Sequence, residues 1–181
     1  MSVGIEPNLE MEAEENQFIK IFIQSFLNRL SINPAFNPNT LDDVKFLLVK
    51  SIQPFSRYDV IKILNDGEPL TLVEKKELGL NTRLKINRNY LKYINLGFID
   101  KSRPFDFLKE IEFYSRARGW SEREISRAKR MKFSLKLYID KDTCPESMPF
   151  IGNYSTSNAP LLPLISCGKK CLCFYQIDVK W

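Results

Sequence analysis

The chain has 181 residues, 44% of them hydrophobic, a formal net charge of +5 and no histidine. It is long enough for one hydrophobic core with a small satellite module, and its composition excludes a collagenous or low-complexity protein. Without histidine it has no conventional Ser–His or Cys–His pair. It also lacks a glycine-rich phosphate loop and a paired acidic motif, so it reads as non-enzymatic.

The charge is uneven. Residues 1–16 hold Glu6, Glu10, Glu12, Glu14 and Glu15 and no lysine or arginine, unlike the basic start of a secretory leader. Removing these five from the 22 acids leaves 17 against 27 bases, a formal excess of +10 on the remaining body. Such a body suits a polyanionic partner or a well-solvated surface. No stretch reaches the ~18 uninterrupted apolar residues of a spanning helix, so no membrane is expected.

Residues 1–14 are expected to form an acidic flexible tail. A helical domain follows over residues 15–131. Phe18, Ile21, Phe22, Phe26 and Leu30 recur at helical spacing, and Ile19 and Ile23 widen the stripe. Such a helix packs on two sides, against its own domain and optionally another subunit. A loop with two prolines and three asparagines, residues 33–39, stops it. Thr40 and Asp43 then predict a capped helix carrying Leu41, Val44, Leu47 and Leu48 to about Ser51. A third short helix holds Tyr58, Ile61 and Leu64 and ends at Asn65-Asp66-Gly67. Thr71 and Glu74 form a capping-box pattern that opens a fourth, ending at Gly79. Asn81 or Thr82 caps a fifth, with Leu84, Tyr90, Leu91 and Ile94 on one side and Arg83, Lys85, Arg88 and Lys92 on the others. This three-helix run invites a generic helix-turn-helix reading, with Arg83, Asn87 and Arg88 facing DNA, or a plain solvated surface.

Pro104 opens the next helix, with Phe105, Leu108 and Ile111 in phase and Gly119 at its C-terminal cap. Ser121 and Glu124 start another, running to about Met131. Arg116, Arg118, Arg127 and Arg130 could meet phosphate there, while Glu122 and Glu124 argue for ion pairs along the helix surface. At Lys132 the period changes to two. Phe133, Leu135, Leu137 and Ile139 alternate with polar residues, as do Cys171, Cys173, Tyr175, Ile177 and Val179 with Leu172, Phe174, Gln176 and Asp178. The fold class is therefore α+β: a mainly helical body of about six or seven helices and, over residues 132–181, a small antiparallel β-hairpin module.

That module holds all four cysteines, Cys144, Cys167, Cys171 and Cys173. In an extended strand Cys171 and Cys173 share a face about 6.6 Å apart at Cα, close enough to share an ion and poorly arranged for a mutual disulfide. Cys144 and Cys167, at the ends the strands bring together, complete a tetrahedral thiolate set for structural zinc. A disulfide from Cys144 to one of the later three, or four small buried apolar side chains, are the other readings.

The segments Asp142-Thr143-Cys144-Pro145, Gly152-Asn153-Tyr154, Ala159-Pro160-Leu161-Leu162-Pro163-Leu164 and Cys171-Leu172-Cys173 together resemble the C-terminal cysteine segment of phage minor head proteins of the Mu F-like kind. The resemblance covers under a quarter of the chain. Ser147 stands where a second cysteine is usual, no histidine follows Pro163, Leu172 replaces an arginine, and Cys167 is extra and would take over the missing ligand position. It implies a structural component of a virion or similar assembly (minor head, connector or neck), in the virion or host cytoplasm, with other assembly subunits as partners and a homo-oligomeric state. The alternative is a zinc-stabilised DNA-binding regulator.

Overall fold

A computed structural model describes residues 9–139, 142, 144–164 and 172–178. Among them are six α-helices: α1 (Leu9–Ser31), α2 (Leu41–Ser51), α3 (Val60–Leu64), α4 (Leu72–Glu77), α5 (Tyr90–Tyr93) and α6 (Asp106–Met131). The strands are β1 (Ser134–Tyr138), β2 (Gly152–Tyr154) and β3 (Phe174–Asp178), and 3-10 turns occupy Pro38–Thr40 and Pro145–Phe150. The protein is α+β with a helical body and a small antiparallel sheet in its C-terminal region. The chain divides into two compact units, Ile23–Phe113 and a discontinuous one made of Met1–Phe22 and Tyr114–Trp181. The division cuts through α1 and α6. The acidic leader is helical from Leu9 onward, ahead of the expected start at Glu15.

In the Ile23–Phe113 unit, Ile23, Phe26, Leu27 and Leu30 of α1 are buried, together with Val44, Leu48, Val60, Leu64, Ile86, Tyr90 and Leu108. Asp59 caps α3 by accepting the Lys62 N–H at 3.1 Å. The Thr71 capping box of α4 is complete: the hydroxyl accepts from Glu74 N–H, and Glu74 accepts from Thr71 N–H at 2.8 Å. Thr40 does not cap α2. It belongs to the preceding 3-10 turn, and its hydroxyl donates to the Asn37 carbonyl at 2.8 Å.

The expected helix over residues 82–94 shrinks to the four residues of α5. Side chains claim the backbone groups that such a helix would need. The Asn65 side chain accepts the Asn87 N–H at 2.7 Å, a donor that the helix would give to the Arg83 carbonyl. The buried Lys75 ammonium reaches the carbonyls of Leu84 at 2.7 Å and Thr82 at 3.5 Å. Pro69 and Asn87 form an isolated antiparallel bridge instead.

In the discontinuous unit, α6 runs unbroken through Gly119 and Ser121, where the sequence pattern placed one helix end and the next start. Gly119 is there for proximity: a Cβ would lie 2.8 Å from two ring carbons of Phe18. The buried Ser121 hydroxyl accepts the Leu162 N–H at 3.0 Å, and Glu124 lies 3.5 Å from the Arg123 guanidinium, so both halves of the expected capping box are engaged elsewhere. The helix ends in a Schellman arrangement, with Phe133 N–H on Ala128 O and Lys132 N–H on Lys129 O. Lys132 takes a φ of 57°.

The sheet has the order β2-β1-β3, with both pairs antiparallel. The expected hairpin partners, β1 and β3, are joined by a third strand, β2. Leu135 and Leu137 of β1, with Tyr175 of β3, face a core completed by Ala128, Cys144, Leu162 and Cys173.

Candidate cysteine centre and the basic side chains

The register pairs Tyr138 with Phe174, which places Cys173 beside the exit of β1. Cys144 sits at the N-terminal end of the Pro145–Phe150 turn. Both cysteines are buried in the same apolar cluster, although 28 residues of sequence lie between them. The alternation holds here, since Cys173 and Tyr175 are buried while Leu172, Phe174 and Gln176 are exposed. Ser147, at the position where the resemblance expects a cysteine, is also buried, and its N–H donates to the Cys144 carbonyl at 3.0 Å. Tyr175 closes one side by donating its hydroxyl to the Pro160 carbonyl. Burial, with the nearby Tyr154, holds its pKa well above the usual tyrosine value.

Cys167 and Cys171 lie outside the described residues. Among the described residues no group of three or more cysteine, aspartate or glutamate side chains is placed to hold a metal ion. What the fold brings together is two of the four cysteines, Cys144 and Cys173, both buried in one apolar cluster.

The six arginines singled out for polyanion contact differ in their partners. Arg88 pairs with Glu74 at 2.6 Å, Arg118 with Glu122 at 2.7 Å, and Arg130 with Glu14. Arg116 lies over the Phe22 ring, 5.7 Å from its centroid. Arg83 and Arg127 are exposed, with no ion-pair partner among the described residues. A recognition helix carrying Arg83 and Arg88 is not formed, because residues 82–89 are not helical and Asn87 is buried.

Two arrangements were not singled out from sequence. One is the cluster of Arg123 with Trp120, Phe18 and Glu15, which joins α6 to the N-terminal part of α1. The other is the outward row of the sheet, Lys136, Tyr138, Phe174 and Gln176, where the alternation had marked these positions only as the face away from the core.

The fold and its cysteine-bearing core define the class: an α+β protein whose C-terminal sheet packs over two buried thiols. Comparison with protein families, curated proteins and solved structures finds no match to the chain.

Proposed function

We propose that the chain is a non-enzymatic structural component of a larger assembly, of the phage minor head, connector or neck kind. In this reading, Cys144, Cys167, Cys171 and Cys173 bind a structural zinc that clasps the C-terminal module. The observation that carries it is the burial of Cys144 and Cys173 in one cluster from separate segments, as a clasp requires. Exposed apolar side chains on α2, Phe46 and Val49, suit subunit contact. The partners would be copies of this chain and other assembly subunits, in a virion or host cytoplasm. The absence of histidine from the whole sequence supports a non-catalytic role.

The test is elemental analysis and sedimentation velocity on full-length protein prepared without chelator. Stoichiometric zinc, lost in a Cys171→Ser, Cys173→Ser double variant, and a discrete oligomer are expected. Zinc retained by the double variant, or a zinc-free monomer at high concentration, overturns the reading.

A further inference from the structure

The outer face of the sheet carries groups that the core does not use. Pairing across three strands sets Lys136 of β1 between Asn153 of β2 and Gln176 of β3, and sets Tyr138 directly opposite Phe174. The Tyr138 and Phe174 rings are nearly parallel, at 13° with centroids 5.2 Å apart. The Lys136 ammonium lies 5.0 Å from the Tyr138 centroid. Phe174 remains 56% exposed and Leu172 beside it 51%. An amide, ammonium, amide row thus adjoins an exposed aromatic stack.

Each of these groups complements one part of a single-stranded nucleic acid. Parallel rings of which one, Phe174, is 56% exposed extend naturally into a stack with an unpaired base, and such stacking tolerates any base. An ammonium beside the stack neutralises the adjoining phosphate, and asparagine and glutamine amides hydrogen-bond base edges. Among the outward-pointing residues of the three strands the one carboxylate, Asp178, pairs with Ser134 at the far end from the rings. A duplex would not fit the same groups, because its bases are already stacked and its edges lie within grooves.

We infer that this sheet face, through Phe174, Tyr138 and Lys136, binds single-stranded nucleic acid by base stacking and phosphate pairing. The inference uses neither the cysteines nor the assembly role and stands apart from both.

The test is fluorescence anisotropy of full-length protein with labelled mixed-sequence DNA and RNA strands of about 12 nucleotides, within the range one small β-fold covers. Duplex of the same sequence serves as competitor. Wild type should bind single strands in preference to duplex, with log affinity falling by about 0.7 per neutralised phosphate per unit of log salt. Phe174→Ala should weaken binding about tenfold. Lys136→Gln should reduce the salt slope by about 0.7. Both positions are exposed, so the thermal transition should hold. If Phe174→Ala fails to fold, the Lys136→Gln slope alone decides. No single-strand binding by wild type, or binding unchanged in the foldable variants, overturns the inference. So does a shift in oligomeric state on Phe174→Ala without loss of oligonucleotide binding, which would make the face a contact between copies.

Discussion

The guanidinium of Arg123 lies 3.8 Å from the centroid of the Trp120 ring, while reaching Glu15 of α1 at 3.4 Å. The ion pair joins α6 to α1 while the π-face contact stays within α6, and with an exposure of only 18% the side chain is largely removed from water. A partly desolvated cation–π contact is worth about 1–2 kcal/mol. Arg123→Ala should lower unfolding stability by about 2 kcal/mol, once the lost pairing with Glu15 is included. Arg123→Lys should recover less than half, because an ammonium does not lie flat on the indole. Urea titrations of both variants check this, and equal stability of Lys and Arg would contradict it.

Gly119 presents a conflict between backbone and packing. In a helix interior, alanine is favoured over glycine by about 1 kcal/mol. Here the added methyl would meet the Phe18 ring at 2.8 Å, at a buried position. Overpacking of this kind costs about 1–3 kcal/mol. Gly119→Ala is therefore expected to destabilise by about 1 kcal/mol net, and a raised melting temperature would show that the ring moves aside freely.

Lys132 and Gly79 occupy equivalent places after α6 and α4, each with the paired hydrogen bonds of a Schellman turn and a left-handed backbone. Only Gly79 is free of the Cβ penalty. Lys132→Gly should stabilise by about 1 kcal/mol, because the left-handed conformation costs an L-residue ~1–2 kcal/mol and glycine gives part of that back in unfolded-state entropy. Thermal denaturation measures it, and unchanged or reduced stability would count against the assignment.

Two groups predict how stability changes with pH, in opposite directions. The N–H and hydroxyl of Thr71 hold the Glu74 carboxyl below its ordinary value of 4.5. A depressed carboxyl contributes stability above that value and loses it as the pH falls through the lower folded pKa. Thr71→Ala should flatten the acid limb. Burial raises the Tyr90 hydroxyl far above its ordinary value of 10, and that hydroxyl donates to the Pro104 carbonyl at 2.5 Å. A raised acid contributes stability below pH 10 and loses it above. Tyr90→Phe should weaken the protein by about 1 kcal/mol at neutral pH and reduce its alkaline sensitivity. Denaturant midpoints across the pH range separate the two limbs.

Period identified α2 and the strands β1 and β3 from residues alone, and capping chemistry identified α4. Phe26 and Leu30, or Leu135 and Leu137, declare their buried faces through spacing. What failed to show itself were features decided at long range. Gly119 and Ser121 look like punctuation until Phe18 and Leu162 are known to press against them. Residues 82–89 carry a helical pattern that Lys75 and Asn65 overrule by taking its backbone partners. The three residues of β2 are too few to display alternation. At the cysteine centre, strand alternation correctly buried Cys173. The joining of Cys144 to the same cluster rested on antiparallel pairing, which the register between β1 and β3 supplies.

The division of the chain also orders events during synthesis. The Ile23–Phe113 unit is contiguous and can close on itself while the remainder is still being translated. The other unit draws α1's first turns together with everything after Phe113, so Phe18 and Glu15 must wait, uncovered, for Trp120 and Arg123 to emerge. For a nascent chain, such an interval, with native partners still missing, is the aggregation-prone one.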